Sequence, residues 1–458
     1  MQSPESIKLS PPLPWCSPVG LTGFITELFD GSLGIELHAS QEKVSDLKTM
    51  VISLPPEGEA FHITGYVKKL EQTNLLTFIL DNDAHFHALL TKVRKDQHIE
   101  ICRSQDVESQ DRFTGFSRLS FQPKALPELD YDDISAECKF LGRRFGAPIL
   151  ITGMTGGLEK GTEINTRLAR AAAAHNIPMG IGSQRLALED PIHAKVFDVK
   201  RHVPDIYLIG NMGGAQLRDK NAADLCKRAV DMINADALAI HLNIIQECLQ
   251  VEGDRNFSNL LKQLENISRH LEVPLIVKEV GSGVDPGTAR KLEESGVSAI
   301  DVGGKGGTSW GYIEGLRSSS SQALELAETF RDWGIPTAYS LAAVKKACPH
   351  LPVIATGGIR DGVTIAKASG LGASLAGIGL PLLRAALEGE DHAEQLIHTF
   401  IRGLKIVMLA TGSKTIDQLS QSLVLGLPHQ EDFESYADEI LGFRLPPQFE
   451  SGSTSLTP

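Results

Sequence analysis

Four polar side chains of different chemistry follow one another in the run HLNIIQE, residues 241–247. His241, Asn243 and Gln246 are hydrogen-bonding groups, and Glu247 adds a carboxylate of the kind that binds Mg²⁺ together with substrate phosphates. Three neutral partners beside one carboxylate suit hydrogen bonding and proton transfer rather than a zinc triad. An ordinary polar loop explains any one of these residues but not all four. The run predicts a site that manages protons, with Glu247 as a ligand for a hard cation.

A second candidate is Lys278, which interrupts the apolar run Leu275-Ile276-Val277. A charged side chain in a buried strand needs a partner or a function. Two functions fit: a Schiff-base lysine, as in barrel aldolases, and a cation placed against an electron-rich cofactor. A rim lysine that reaches solvent is the structural alternative, and the strand-like residues on both sides disfavour it.

Glycine pairs form the third candidate group, at residues 306–308 (GGT), 356–360 (TGGIR) and 377–379 (GIG). Phosphate oxygens bind backbone N–H groups at close approach, and a Cβ would obstruct that approach. Tight turns alone are an equally good explanation of any one pair. The three together favour a cofactor that carries a phosphate, held by the loops after strands 7 and 8 of a barrel.

Basic residues form a fourth group in a chain whose net charge is −13. The run RKDQH at 94–98 has the pattern of a solvated linker. Arg185 is a second, isolated cation at the end of a predicted strand. Two such groups can clamp a diphosphate, so the linker interpretation stays open.

These candidates need a scaffold, and from residue 148 apolar runs alternate with helical stretches. Eight strand–helix pairs over roughly 250 residues is the count and size of an α/β TIM (β/α)8 barrel. A doubly wound sheet shares the alternation but has fewer strands and a glycine-rich fingerprint at its first βα turn. The predicted strands are 148–153, 177–182, 206–210, 237–242, 274–279, 299–302, 352–356 and 374–378, and the predicted helices include 161–175, 224–233, 256–271, 285–294, 320–330 and 362–369.

The residues before the barrel have a different pattern of short β-like runs separated by turn signals, at 23–29, 33–38, 49–54, 60–68 and 75–80. They predict a small β-sandwich or barrel. The domains are therefore predicted as a small β-rich domain at 1–90, a TIM-barrel domain at 91–445 and a flexible tail at 446–458.

Composition limits the function classes. The chain has 458 residues, 42% of them hydrophobic and 22% charged, which is typical of a globular protein. Its six cysteines include no CxxC pair, which argues against a zinc site and a disulfide framework. The acidic balance disfavours nucleic-acid binding, and no apolar run is long enough for a membrane helix. Without a signal peptide pattern at its start, the chain is expected to be cytoplasmic.

The motifs together, from about Arg94 to Leu441, resemble the type 2 isopentenyl-diphosphate isomerases, which bind FMN in a TIM barrel. The HLNxxQE element is highly specific, and the other motifs occur in family order. The resemblance is carried by RKDQH (94–98), LPEL (126–129), MTGG (154–157), GSQR (182–185), HLNIIQE (241–247), EGDR (252–255), VKEVG (277–281), GGTS (306–309), DWGIPT (332–337) and GGIR (357–360).

The resemblance implies a role for each matching residue. FMN would be held by Gly153, Met154, Thr155, Ser183, Asn211, Lys278 and Thr308, and its phosphate by Gly358, Ile359, Arg360, Gly379 and Leu380. The substrate diphosphate would meet Arg94, Lys95, Ser183, Gln184, Arg185 and Gln246. Glu247 would bind Mg²⁺ bridged to that diphosphate, and Gln246 and His241 would be the catalytic residues that orient substrate and flavin.

The implied reaction is the reversible 1,3-allylic shift of isopentenyl diphosphate to dimethylallyl diphosphate, a step in isoprenoid precursor biosynthesis. In this family FMN is reduced by NAD(P)H, yet no net redox change occurs. No protein group here is an obvious acid for protonating a plain alkene, so the cofactor is expected to carry that step. The resemblance also implies a homo-oligomer, a tetramer or octamer.

Two departures from the family pattern stand out. Lys305 occupies a position where relatives often carry a small residue, and its effect is expected to be local. The first 90 or so residues are an addition to the family. They faintly resemble a PilZ barrel, but residues 1–93 contain no arginine. Because PilZ domains grip cyclic dinucleotides with an arginine pair, no such binding is expected, and a regulatory or oligomerisation module is the remaining hypothesis.

Two other functions compete with the isomerase. A 2-hydroxy-acid oxidase shares the FMN barrel and the GGIR motif, but it carries a histidine and an arginine in an HGGRQ-like stretch. The corresponding residues 301–307 read DVGGKGG, which speaks against oxidation. The other competitor is a sensor in which the barrel is an inactive scaffold, and the intact set of site residues disfavours it.

Overall fold

The computed structural model describes side chains for residues 94–154, 161–189, 193–218, 221–250, 253–318 and 320–424, and secondary structure also for strands and a helix between residues 6 and 93. The chain folds into two compact units. Residues 1–105, 244–255 and 310–331 form the first unit, and residues 106–243, 256–309 and 332–458 form the second, here called the barrel unit.

Six antiparallel strands form a closed barrel in the first unit, in the order β1-β2-β3-β6-β5-β4. The strands are β1 (Ser6–Cys16), β2 (Thr22–Phe29), β3 (Ser32–Leu37), β4 (Thr49–Leu54), β5 (Glu59–Lys69) and β6 (Leu76–Leu80). The predicted β-rich fold of this segment is confirmed, and β1 is an additional strand. Strand β1 was not predicted because its sequence contains prolines, which are depleted in strands. The pairing of β1 with β2 shifts register between Lys8 and Leu13, a bulge of the kind where proline is tolerated.

The barrel unit contains a closed barrel of eight parallel strands, each hydrogen-bonded to the next in chain order. It confirms the predicted TIM barrel and all eight of its strands. Three short strands precede the barrel, β7 (Leu119–Phe121), β8 (Cys138–Phe140) and β9 (Arg143–Phe145), and β18 (Leu423–Leu425) pairs with β7. The barrel strands are β10 (Ile149–Ile151), β11 (Met179–Gly180), β12 (Leu208–Gly213), β13 (Ala237–Leu242), β14 (Leu275–Glu279), β15 (Ala299–Asp301), β16 (Val353–Thr356) and β17 (Leu375–Ile378).

Thirteen α-helices lie in the described part of the chain. They are α1 (Ala84–Ser104), α2 (Glu159–Ala174), α3 (Arg185–Glu189), α4 (Ala222–Ile233), α5 (Ile244–Leu249), α6 (Leu260–His270), α7 (Pro286–Glu294), α8 (Trp310–Arg317), α9 (Ser321–Thr329), α10 (Thr337–Ala347), α11 (Gly362–Gly370), α12 (Leu380–Glu388) and α13 (Glu390–Thr411). The six predicted helices are confirmed within a few residues at each end. Helix α10 was not predicted because residues 337–344 are all buried, so it shows no amphipathic pattern.

Helix α1 runs through the predicted domain boundary at residues 90 and 91, and that division of the chain stays a prediction. The predicted tail at 446–458 lies outside the described residues. Among the described helices, none combines the length and apolarity that a membrane crossing requires.

The core of the eight-stranded barrel is a layer of apolar side chains, closed at one end by the hairpin of β8 and β9. Phe140 and Phe145 of this hairpin pack in one buried cluster with Leu150, Ile209 and Ile276 from the barrel strands. The cluster leaves the carboxyl ends of the strands for polar groups, as expected for this fold.

Helices α11 and α13 of the barrel unit approach closely at a glycine. A Cβ added to Gly362 would lie 2.5 Å from the carbonyl oxygen of Phe400 and 2.6 Å from the carbonyl carbon of Gly403. Both neighbours are backbone atoms and cannot rotate away. This contact fixes α11, the helix that directly follows the GGIR motif.

We predict that Gly362→Ala lowers the free energy of unfolding by about 1–3 kcal/mol, because the added methyl group overpacks a backbone contact. Thermal denaturation of the full chain would measure this. Gly287→Ala is the matched control, since its Cβ would meet only the carboxylate of Asp285, at 3.1 Å. Equal stability of the two variants would contradict the prediction.

Candidate active site

Polar side chains from neighbouring strands meet at the carboxyl end of the eight-stranded barrel. In the strand register His241 of β13 is paired with Lys278 of β14, and Lys278 with Asp301 of β15. A pocket within the barrel is lined by Thr152, Asn211, Lys278 and Asp301 among other residues. The sequence predicted that these strand ends would carry the chemistry, and the fold brings them together.

Asn211 and His241 form a hydrogen-bonded pair within this ring of polar side chains, which also contains Lys278 and Asp301. The Nδ1 atom of His241 lies 2.8 Å from Oδ1 of Asn211. Asn211 Nδ2 donates in turn to the carbonyl oxygen of Ile181 at 2.8 Å, which orients the amide. Because an amide oxygen accepts, the facing Nδ1 of His241 carries the proton, and this sets the tautomer of the imidazole.

Lys278 is partly buried and has Asp301 as its nearest acidic neighbour in the register. Burial lowers the pKa of Lys278, and the charges of Asp301 and Glu279 oppose that shift. Burial also raises the pKa of Asp301, against the effect of Lys278 and of a hydrogen bond from Thr356 Oγ1 at 3.0 Å. The two groups stabilise each other's charged forms in a place where each alone is costly.

Glu279 ends strand β14 and turns its carboxylate onto the following loop. Its Oε2 accepts from the backbone N–H groups of Val280, Gly281 and Ser282 at 2.6, 2.8 and 2.5 Å. Burial nevertheless raises the pKa of Glu279 to about 7, although these hydrogen bonds and Lys278 favour the charged form. The carboxyl group thereby holds the backbone immediately after Lys278.

The glycine loops after β15 and β16 touch each other. A Cβ on Gly307 would lie 2.5 Å from the backbone nitrogen of Gly358, and Gly358 has a left-handed φ of 70°. Only glycine tolerates both the contact and the conformation. The loop after β17 places Gly379 at the N-cap of α12, so the positive end of that helix dipole is also at this end of the barrel.

The barrel unit contains the kinds of hydrogen-bond donors and charged groups that FMN would need. Gly153 and Gly180 line the pocket together with Asn211 and Lys278. Lys278 would supply a cation for an electron-rich ring. Arg360 and the N-terminus of α12 would supply the donors for a phosphate.

In the first unit, Gln246 belongs to a network centred on Glu314. The carboxylate of Glu314 is completely buried and accepts from Gln246 Nε2 at 2.8 Å, His98 Nε2 at 3.0 Å and the guanidinium of Arg317. Burial opposes ionisation of Glu314, but Arg317, His98 and Arg94 outweigh it and hold its pKa far below the ordinary value. Glu314 is therefore a permanent anion that fixes Gln246.

Glu247 lies in the first turn of α5 and is buried. Its Oε2 accepts from the backbone N–H of Asp254 at 2.8 Å. No group of three or more His, Cys, Asp and Glu side chains that could hold a metal occurs among the described residues. One carboxylate is nonetheless what Mg²⁺ takes from a protein when substrate phosphates complete its ligands, so Glu247 fits such an ion.

Most predicted site residues lie in the described part of the chain. Gly153, Met154, Ser183, Asn211, His241, Lys278, Thr308, Gly358, Ile359, Arg360, Gly379 and Leu380 lie at the carboxyl end of the barrel or in its loops. Arg94 and Lys95 lie on α1 of the first unit, as Gln246 and Glu247 lie on α5. Arg185 begins α3 and donates from Nε to Glu189 at 2.8 Å. Thr155 lies outside the described residues.

Gln184 is the exception, because its geometry does not support contact with a diphosphate. Its side chain is fully buried, with Nε2 donating to the carbonyl oxygen of Ala229 at 2.7 Å and Oε1 accepting from the backbone of Asn211 at 2.9 Å. Its own backbone N–H donates to the Asn211 carbonyl. Gln184 holds the strand that carries Asn211.

Three residues that sequence analysis missed belong to these sites. Asp301 interrupts an apolar strand as Lys278 does, and the same signal would have found it. Glu314 lies in a helix of ordinary composition, and Glu108, which contacts Arg360, precedes the barrel. Neither of these two has a signal in a single sequence, because Glu108 binds Arg360 at a separation of 252 residues, and Glu314 binds Gln246 and His98 at separations of 68 and 216 residues.

Comparison with known proteins gives consistent results. A family profile described as "FMN-dependent dehydrogenase" matches residues 245–425. A protein of Nostoc sp. named isopentenyl-diphosphate delta-isomerase is 44% identical over 332 residues, which is 72% of this chain and 95% of the relative. Proteins of the same name from Halobacterium salinarum and Pyrococcus furiosus are 44% and 43% identical over 337 residues, covering 72% of this chain and 92% and 85% of the relatives.

Solved structures of mandelate oxidase share the fold. One, with 2-hydroxy-phenylacetamide, has a TM-score of 0.51 at 20% identity and covers 75% of this chain and 98% of its own. Another, with a trifluorinated dihydroxypropanoic acid, has a TM-score of 0.52 at 19% identity and the same coverage. At this identity the likeness shows the barrel fold alone.

We predict that the free energy of unfolding falls as the pH rises from about 4.5 to 7, because of the carboxyl group of Glu279. In the folded state this carboxyl has a pKa of about 7, against an ordinary value of 4.5, so the folded state binds more protons than the unfolded state across that range. The stabilisation is complete below pH 4.5 and is lost by pH 7, and at about 1.4 kcal/mol per pH unit it is on the order of 3 kcal/mol.

The measurement compares denaturation midpoints at pH 5 and pH 8 for the wild type and Glu279→Gln, which cannot ionise. The variant should show a flatter pH dependence. Glu265→Gln, at a half-exposed position on α6, is the control and should follow the wild type. Parallel curves for the wild type and Glu279→Gln would rule out this role.

Proposed function

The chain belongs to the type 2 isopentenyl-diphosphate isomerase family, and from this premise we propose that it interconverts isopentenyl diphosphate and dimethylallyl diphosphate with reduced FMN and Mg²⁺. The observation that carries the proposal is the ring of Asn211, His241, Lys278 and Asp301 at the barrel mouth. It provides a cation and a fixed imidazole tautomer. It contains no strong acid for protonating an alkene.

An oxidase function is disfavoured by the loop after β15. Where the 2-hydroxy-acid oxidases carry histidine and arginine, this loop carries Gly303, Gly304 and Lys305. Lys305 donates from Nζ to Asp111 at 2.7 Å and is largely covered. This lysine is a structural cation and does not replace a base that abstracts a proton from a hydroxy acid.

FMN would be the cofactor of this barrel, and when bound and reduced it would supply a proton to one substrate carbon while a different proton is removed from another. Lys278 would stabilise the electron-rich ring, with its own charge supported by Asp301. Gly358, Ile359, Arg360, Gly379 and Leu380 would hold the phosphate. NADPH would provide the reducing equivalents.

The chain's own residues would bind and orient the substrate. His241 is held in one tautomer by Asn211, and the amide of Gln246 is held in one orientation by the anionic Glu314. Positioning of this kind lowers a barrier without a chemical step of its own. Arg94, Lys95, Ser183, Arg185 and Gln246 would bind the diphosphate, and Glu247 the Mg²⁺ ion.

Two further properties follow from family membership as parts of the same proposal. The protein would assemble as a tetramer or octamer, and it would act in the cytoplasm. The N-terminal barrel would serve regulation or assembly, because residues 1–93 lack the arginines with which a PilZ domain binds cyclic dinucleotides.

We predict that anaerobic conversion of isopentenyl diphosphate requires FMN, NADPH and Mg²⁺ together. Each component is omitted in turn, and the product is measured by chromatography. Loss of turnover in every omission supports the proposed reaction. A protein that binds FMN but never forms dimethylallyl diphosphate would instead be a barrel used for another substrate or for sensing.

We predict that Glu247→Gln lowers Mg²⁺-dependent turnover by about a hundredfold or more, since a carboxylate that holds a catalytic cation contributes several kcal/mol. The flavin absorption spectrum should be unchanged. Gln retains an acceptor for the N–H of Asp254, so the local fold is preserved. Glu328→Gln, an exposed change in α9, is the control, and wild-type turnover in Glu247→Gln would remove Glu247 from the mechanism.

A further inference from the structure

Residues 106–112 of the barrel unit, here called the strap, cross the loop that follows β15. Ser109 N–H donates to the carbonyl oxygen of Gly307, and Ser309 N–H donates to that of Val107, both at 2.8 Å. Val107 and Ser109 are buried at 0% and 2% exposure. Glu108 lies between them, in antiparallel pairing with Thr308, so its backbone is fixed on both sides.

The strap is also held by ion pairs and hydrogen bonds. Lys305 donates to Asp111 at 2.7 Å, and Ser109 Oγ donates to Asp332 at 2.7 Å. These contacts tie the middle and the second half of the strap to the rest of the barrel unit. The side chain of Glu108 is therefore presented from a rigid support.

The carboxylate of Glu108 is bound by Arg360. Arg360 Nε donates to Glu108 Oε1 at 3.0 Å, and Nη2 donates to the same oxygen. Arg360 Nη1 donates to the carbonyl oxygen of Ile359 at 2.8 Å. The guanidinium is thus held through Nε and Nη2 by Glu108 and through Nη1 by Ile359. The side chain of Glu108 is largely buried.

These bonds determine what Arg360 can offer a ligand. A guanidinium has five N–H donors, and three of them are used by Glu108 and Ile359. No described residue accepts from the other two, one on each terminal nitrogen. Two such donors form the end-on fork that matches two oxygens of a phosphate.

We propose that Glu108 is a positioning residue for cofactor binding. By holding the guanidinium of Arg360, Glu108 directs the two terminal nitrogens of Arg360 at the FMN phosphate. The inference rests on the proposed role of Arg360 as a phosphate ligand. It assigns a function in cofactor binding to a segment that precedes the barrel. Coulomb repulsion between Glu108 and the phosphate predicts the opposite effect of removing the carboxylate, so the sign of the effect is decisive.

The test compares FMN with riboflavin, which lacks the phosphate. Each flavin is titrated onto the flavin-stripped full-length protein, and the dissociation constant is obtained from quenching of flavin fluorescence. Glu108→Ala should bind FMN about tenfold more weakly, a loss of about 1.4 kcal/mol, with riboflavin affinity unchanged. Glu108→Gln should recover most of the loss, because its amide oxygen still accepts from Arg360 Nε.

Control variants separate this inference from the proposed function. Arg360→Ala should lose the preference for FMN over riboflavin, and adding Glu108→Ala to it should have no further effect. Gln110→Ala, which truncates an exposed side chain of the strap, should bind both flavins as the wild type does.

Three results would overturn a claim. Unchanged or tighter FMN binding by Glu108→Ala, or an equal loss for both flavins, would overturn the role of Glu108. An unchanged FMN preference in Arg360→Ala would overturn the phosphate site itself.

Discussion

A cation at the mouth of the barrel has to be kept charged in partly buried surroundings, and much of the site follows from this requirement. Burial alone lowers the pKa of Lys278 and raises that of Asp301, so each charge depends on the other. The strand register sets them side by side. Thr356 then binds Asp301, and the loop after β14 folds back onto Glu279. A charge–charge interaction of this kind contributes little to stability by itself, and its value lies in fixing the position of charge.

Contacts between glycine residues bring the phosphate loops to the same end of the barrel. Gly307 and Gly358 meet backbone to backbone, at a separation that no larger residue allows. The strap then pairs with the same loop through Val107 and Ser109. The loops are ordered by main-chain contacts, and the charged side chains of Glu108 and Arg360 are added to a backbone that is already fixed.

The sequence predicted the parts of the molecule that depend on local pattern. All eight barrel strands and six helices could be identified because apolar periodicity changes from one element to the next. Lys278 was found because a charge in an apolar run is visible, and Asp301 could have been found in the same way. Strand β12 runs to Gly213, three residues beyond its predicted end, and includes Asn211, because its pairing with β13 continues to His241. Glu314 and Glu108 could not be predicted, since their roles depend on pairings across the fold.

The anionic Glu314 limits how the N-terminal barrel could be exchanged for another module by recombination or gene fusion. His98, near the end of α1, and Arg317 of α8 both bind this carboxylate, and Gln97 binds Arg317 from the same turn of α1. A fusion point placed after His98 would bring in foreign residues and leave an ionised carboxylate with fewer donors in the interior, which is costly. Any replacement of the N-terminal barrel must therefore keep the last two turns of α1 as part of the enzyme.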